Sequence, residues 1–173
     1  MVEKVPYTIV KKIGAVEIRR YPEILFAVTE NDAYDSGFNL LFRYITGENK
    51  TRRRIPMTAP VVTSENIAMT APVVTRGKYM AFSIPASYTK DTVPTPTNPA
   101  VHIEIQTERT LAVLRFSGRT NERTVSKNTQ MLLAALLDHN IRTKGDPVLM
   151  RYNSPFTPGF LRRNEIGVEI TES

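Results

Sequence analysis

The sequence predicts an α+β fold in which one unit, strand–strand–helix–strand–strand, occurs twice. Three observations lead there: alternating apolar runs of strand length, one helical apolar stripe in each half, and prolines at Pro85, Pro94, Pro96 and Pro99 between the halves. The halves run from about 5 to 85 and from about 100 to 171, and the whole of 1–173 is expected to be one domain. A chain of 173 residues is long enough to bury roughly two-thirds of the surface it exposes when unfolded.

In the first half Val16–Tyr21 alternates, Pro22-Glu23 interrupts, and Ile24–Thr29 is a second run rich in β-branched and aromatic residues. The two runs predict a hairpin. Asn31 or Asp32 offers a helix N-cap, and Tyr34, Phe38, Leu41 and Ile45 follow at spacings of three to four until Gly47. That spacing predicts a helix of about four turns. Lys78–Ile84 is a further alternating strand.

Between helix and strand stand two nonapeptides, IPMTAPVVT from Ile55 and IAMTAPVVT from Ile67, identical at eight of nine positions. Their offset of twelve residues is too short for the folding unit, so they read as a hairpin about Ser64-Glu65-Asn66 or as one strand with a looped-out copy. Pro60 and Pro72 lack an N–H and favour edges or bulges. Thr58 or Thr70 as a nucleophile would need a base beside it, and neither His nor Asp is near in sequence. A structural strand is the expectation.

The second half repeats the order. Val101–Ile105 and Thr110–Phe116 form a strand pair about Glu108-Arg109, ended by Gly118. From Asn121 to His139 the residues Val125, Leu132, Leu133, Leu136 and Leu137 make a helical stripe, with Asn140 suited to a left-handed C-terminal position. Pro147–Tyr152 and Glu165–Ile170 close the fold.

Composition removes several function classes. With no cysteine there is no disulfide, thiolate catalysis, cysteine-ligated zinc or iron–sulfur, or covalent haem attachment. Nowhere do about 18 apolar residues run together, and the N-terminal stretch has no signal-peptide core, so a cytoplasmic, monomeric protein without membrane insertion is expected. The net charge of +6 gathers at Arg52–Arg54 and at Arg162-Arg163; such runs are solvated loops or meet phosphates, carboxylates or an acidic surface. Nucleic-acid binding would need a broad basic face with stacking aromatics, which the sequence lacks.

The stretches Val16–Tyr21, Gly37–Asn49, Ile67–Val73, the Pro94/Pro96 segment, Arg115–Gly118 and Arg162–Glu165 together resemble the SOUL haem-binding protein family, colinearly from about Val5 to Ile170. The resemblance implies a distorted antiparallel β-barrel with two flanking helices and a pseudo-twofold repeat, related to bacterial effector-binding domains. It implies noncovalent binding of haem or another tetrapyrrole in an apolar groove, as carrier or buffer, with no enzymatic reaction and no catalytic residue. In the family the M-T-x-P-V element usually occurs once, whereas here it is doubled.

A porphyrin needs a flat apolar cleft, cations for its propionates and, for tight iron ligation, an axial base. The family's cleft runs along the first helix and the closing strands, which makes Phe38, Leu41 and Phe42 candidate ring contacts, Arg43 a propionate partner and Tyr152 a contact from the other half. The bottom-up alternative for Phe38 and Leu41 is that a helical apolar stripe faces the core; Arg43, a cation in an apolar stretch, suits a cleft rim. Family members proposed to ligate iron through histidine carry it directly before the tyrosine of the first motif, where this chain has Arg20. His102 and His139 remain as weak metal candidates, each more simply read as structural because a lone histidine seldom makes a site without convergent partners, with Met57, Met69 and Tyr44 as other ligands in principle. The expectation is axially unspecified binding, or a tetrapyrrole without iron. The alternative is an effector-binding module for other amphipathic small molecules, with Glu104 or Glu165 facing inward and no haem preference. Hydrolysis or haem release finds no dyad, since Glu17, Glu104 and Glu165 alternate on strands as outward partners for arginines. A protein partner for the Arg52–Arg54 loop is unspecified.

Overall fold

Gly14, at φ +59°, closes the first hairpin. Ile13 pairs with Val16, so the loop is the two residues Gly14-Ala15, with glycine in the first central position as a type II′ turn requires. The computed structural model describes residues 3–52, 64–154 and 156–172. The first nonapeptide, with Met57, Thr58 and Pro60, and the pair Arg53-Arg54 lie outside the described residues.

In chain order the first half carries β1 (Glu3–Lys4), β2 (Thr8–Ile13), β3 (Val16–Tyr21), β4 (Ile24–Glu30), α1 (Tyr34–Ile45), β5 (Asn49–Lys50), β6 (Thr70–Arg76) and β7 (Tyr79–Ser83). The second carries β8 (Thr95–Pro96), β9 (His102–Gln106), β10 (Arg109–Phe116), α2 (Glu122–Asp138), β11 (Thr143–Arg151) and β12 (Asn164–Ile170). The expected strand–strand–helix–strand–strand order is present in each half, with four further short or edge strands. The fold is α+β and mostly antiparallel; β1 on β6 is a parallel pair.

The chain forms two compact units. The first comprises Met1–Val5, Ile24–Ala71 and Gly77–Gln106, the second Pro6–Glu23, Pro72–Arg76 and Thr107–Ser173. In the first unit β4 lies between β7 and β9, so that Phe26 opposes Ser83 on one side and Glu104 on the other. Helix α1 packs on β4 and β7, with Leu41, Tyr44 and Ile45 buried beneath it and the Phe38 ring edge-on to Phe82 at 5.1 Å. In the second unit the strand order is β2-β3-β10-β12-β11-β6. Leu132 and Leu136 of α2 cover one face of it, against Ile18, Ala112, Leu114 and Ile166.

Two expected strand pairs are corrected. Val16–Tyr21 does not pair with Ile24–Glu30: β3 is bounded by β2 and β10, and β4 by β7 and β9. Likewise β9 pairs with β4 and not with β10, whose edges are taken by β3 and β12. Pro22, with fixed φ and no N–H, diverts the chain where a hairpin turn would need φ > 0. The two expected closing strands are present as β11 and β12, and they pair antiparallel with each other. Barrel closure is not shown; in each unit the strand order is open.

The second nonapeptide is a strand as expected, with Thr70 and Ala71 paired to β1 and Val73–Thr75 to β11. Pro72, which has no ladder N–H to offer, falls between the two pairings. Helix α2 starts and stops as predicted: Asn121 Oδ1 accepts from the Thr124 N–H at 2.9 Å, and Asn140 sits at φ +54°. Its stripe is narrower than expected, because Leu133 and Leu137 are exposed while Leu132 and Leu136 are buried. At α1 the N-cap position is Ala33, without a side-chain cap. Asn31 Oδ1 instead accepts from the Ala33 N–H at 3.0 Å, an Asx turn that leads into the helix.

Gly167 occupies the middle of β12, between β10 and β11. A Cβ there would stand 2.7 Å from Met150 Cε and 3.3 Å from Leu111 Cδ2. Both neighbours are side-chain ends that yield at a cost, so Gly167→Ala is expected to destabilise by about 1–3 kcal/mol. A urea-unfolding midpoint unchanged in this variant would show that the gap is not tight.

Candidate functional site

Aromatic residues every fourth position along α1 form a stepped strip in the first unit. Tyr34 and Phe38 stack at 6.2 Å and 25°, Phe38 and Phe42 at 6.1 Å and 13°. Phe42 is 46% exposed, and Phe38 is half-buried because its inner edge meets Phe82. Leu41 does not belong to this strip. One residue from Phe42, and so about 100° around the helix, it is 0% exposed and serves the core, the outcome the helical stripe alone would predict.

Arg43 follows the strip in the last turn of α1, where a cation complements the helix dipole. Its guanidinium is exposed and paired with Glu48. Tyr44 is buried and donates from Oη to the Pro94 carbonyl at 2.7 Å. Burial, with Tyr88 and Glu65 adding to it, pushes its phenol well up, so Tyr44 stays neutral and committed to the core. The strip thus fits a planar ring and one carboxylate, and Tyr44 does not supply an axial ligand.

Tyr152 belongs to the second unit, where it takes part in a buried charge cluster. Glu165, 0% exposed, accepts from Arg19 Nη1 and Nη2 at 2.9 Å each, and from Arg163 Nη2 at 2.8 Å and Nε at 3.1 Å. Arg19 also donates to Glu17 at 2.8 Å and to Tyr21 Oη at 3.0 Å. The two guanidinium groups lie over aromatic rings, Arg19 over Tyr7 at 4.0 Å and Arg163 over Tyr152 at 4.2 Å. Tyr152 is therefore a platform for Arg163. Its buried hydroxyl lies close to the Glu165 carboxylate but outside hydrogen-bonding geometry, and burial followed by that negative charge pushes the phenol up. Burial alone would raise the Glu165 carboxyl as well; the hydrogen bonds and charge of Arg19, then Arg163, hold it below the usual carboxylate range.

The two histidines are differently placed. His102, on β9, meets Glu104 Oε1 at 2.9 Å through Nε2, and Glu104 Oε2 accepts from Tyr79 at 3.1 Å. His139 caps α2 and donates from Nδ1 to the Ala135 carbonyl at 2.9 Å. It lines an open cleft of about 510 Å³ in the second unit, floored by Ile13, Val16 and Leu114 with Lys11 at its edge. Met69 is half-buried just before β6. Among the described residues no three acidic or histidine side chains gather as a metal cluster. Of the expected outward carboxylates, Glu104 faces His102 and Tyr79, while Glu165 points inward.

The family model described as SOUL heme-binding protein matches residues 2–169. The chain belongs to the SOUL family. Comparison with curated proteins gives no match. Among solved structures, this SOUL chain is similar to the C-terminal domain of EcmrR, with a TM-score of 0.60 at 10% identity, covering 96% of this chain and 99% of that one. It is similar also to a hydrolase from Listeria innocua, with a TM-score of 0.57 at 11% identity, covering 94% of each chain. At such identities the likeness is one of fold. For the SOUL chain the expected site is thus divided: Phe38, Phe42 and Arg43 lie along α1, Leu41 is buried beneath it, and Tyr152 supports the charge cluster of the second unit. Sequence reading marked Arg162-Arg163 as a basic cluster able to meet a carboxylate, as Arg163 does at Glu165, but did not single out Arg19.

Proposed function

We propose that this SOUL protein binds haem or another tetrapyrrole noncovalently, as a cytoplasmic, monomeric carrier or buffer that performs no reaction on it. The observation that carries this reading is the Tyr34–Phe38–Phe42 strip ending at Arg43, in a family described as haem-binding. Offset aromatic surfaces suit a planar π-system, and the half-buried Phe38 anchors the strip to the core through Phe82. Arg43 turns from Glu48 to a propionate at little cost, because an exposed ion pair is worth only about 0–1 kcal/mol. Bound haem would bring an iron that takes an axial base; the strip supplies none, so ring contact and the propionate carry affinity.

The effector-binding alternative draws support from the inward Glu165. Both of its oxygens, however, are held by Arg19 and Arg163, so the carboxylate has no uncompensated negative charge for a cationic effector. A hydrolytic reading gains no base from Glu17, Glu104 or Glu165, each engaged by a neighbour.

Titration with ferric haem, followed by the Soret band, and with iron-free protoporphyrin, followed by fluorescence, tests the proposal. Saturable binding of both is expected, weakened about two- to fivefold in Arg43→Ala and unchanged in His102→Ala and His139→Ala. No saturable response to either tetrapyrrole overturns the reading. Loss of haem binding in His139→Ala alone moves the ligand away from α1.

A further inference from the structure

We infer that the loop joining β11 to β12 docks this protein on an anionic membrane surface. Three large apolar side chains stand out from it: Phe156 is 95% exposed, Phe160 77% and Leu161 62%. The backbone that presents them is tied internally. Thr157 donates to the Ser154 carbonyl at 3.0 Å, Arg163 N–H to Asn153 Oδ1 at 2.6 Å, and Arg162 Nε to the Thr157 carbonyl at 2.8 Å. The loop is braced from a second side, where Gly118 N–H donates to the Gly159 carbonyl at 2.9 Å and Asn164 Nδ2 to the Gly118 carbonyl at 2.9 Å. These bonds tie the described part of the loop at both sides, so its apolar groups are presented to water by a braced backbone.

Charge chooses the occupant. No Asp or Glu occurs from 153 to 163, whereas Arg162 follows the apolar tip; Arg163 beside it is committed to Glu165. Arg119 lies against Gly159, its Cγ 3.9 Å from where a Cβ would stand, and makes no ion pair or hydrogen bond among the described residues. Glu122, the nearest acid to it in sequence, sits in the first turn of α2, where it complements the helix dipole. Aromatic and leucine side chains beside arginines, on a chain of net charge +6, match the lipid interface, with apolar groups entering the headgroup layer and guanidinium groups remaining among phosphates. A specific protein interface takes about 800 Å² per partner, more than a three-residue tip presents. The contact is a surface association, since no described helix is long and apolar enough to cross a membrane. It stands apart from the tetrapyrrole reading.

Co-sedimentation with phosphatidylcholine vesicles, with and without phosphatidylglycerol, tests it. The protein is expected to sediment with the phosphatidylglycerol vesicles and to be released by salt. Phe156→Ser/Phe160→Ser, folded by circular dichroism with its unfolding midpoint retained, is expected to bind about tenfold or more weakly. Arg119→Ala is expected to bind more weakly to the anionic vesicles only. Absence of binding by the unaltered chain overturns the inference, as does equal binding by the double variant, which would assign the attraction to charge elsewhere. If the unaltered chain is a dimer by light scattering and the double variant a monomer that still binds vesicles, the loop joins two copies and the inference fails.

Discussion

Glu165→Gln is expected to lower the unfolding free energy by about 3–5 kcal/mol, the cost of leaving a buried ion without its counter-charge. Arg19 is 2% exposed and cannot discharge: burial would lower its pKa, but the Glu165 hydrogen bonds and the neighbouring Tyr21 more than reverse this and raise it. Glutamine keeps the shape and one acceptor but removes the charge that two guanidinium groups share. Arg163 is less affected because 17% of its side chain reaches water. The double variant Arg19→Met/Glu165→Leu is expected to recover much of the loss, since apolar replacements for a buried pair are often neutral or better. Acid provides a second readout. With its folded pKa depressed, Glu165 contributes stability that is fully present above the ordinary carboxylate range and is lost as pH falls through the folded value. The unaltered protein should therefore weaken below about pH 5, and Glu165→Gln should lack that part of the decline. A change in unfolding free energy below about 1 kcal/mol in Glu165→Gln would mean that water reaches the cluster, because exposed pairs carry no more than that.

Leu41 and Phe42, adjacent in sequence, are expected to fail in opposite ways. Leu41→Ala should cost about 2–5 kcal/mol of stability, because the side chain is fully enclosed by the first unit. At protein concentrations and temperatures where the variant remains folded, tetrapyrrole affinity should be close to normal. Phe42→Ala should leave the denaturation midpoint nearly in place, since the ring is 46% exposed, and should weaken tetrapyrrole binding by about tenfold, a typical loss for one aromatic contact surface. Chemical denaturation and the Soret titration, run on both variants, decide it. Equal affinities in Phe42→Ala and the unaltered chain would remove the strip from the site.

These contrasts bear on what was legible beforehand. Helix α2 was readable because its signals are local: Asn121 caps within three residues, Asn140 takes the left-handed position, and Leu132 and Leu136 repeat at one turn. The strands themselves were readable for the same reason, but not their partners. Tyr21 and Ile24 are near neighbours in sequence, yet Tyr21 pairs with Arg109 and Ile24 with Gln106, pairings that no local pattern encodes. Strand β2, TIVKKI, does not alternate, and its one local signal was the Gly14-Ala15 turn before Val16–Tyr21. The charge cluster was hidden by alternation. In Asn164–Ile170 the isoleucines and Val168 occupy one face and Glu165, Gly167 and Glu169 the other, which reads as an outward acidic face. Glu165 and Gly167 are nevertheless buried, so that strand is enclosed on both faces and the alternation no longer reports exposure. Arg19 and Arg20 are chemically alike in sequence, and only register distinguishes the buried one from its exposed neighbour.

The discontinuous make-up of the second unit has a consequence for synthesis. β3 must wait for β10, which begins at Arg109 and pairs with Tyr21, and β10 must wait for β12, whose Asn164 opposes Phe116. The β2–β3 hairpin therefore emerges from the ribosome long before any strand can cover its second edge, and Arg19 emerges well before the carboxylate that balances it. Contacts of such sequence separation slow folding and leave strand edges open meanwhile. The exposed lysines Lys11 and Lys12 on β2 place charge on the nascent hairpin and oppose pairing with another chain.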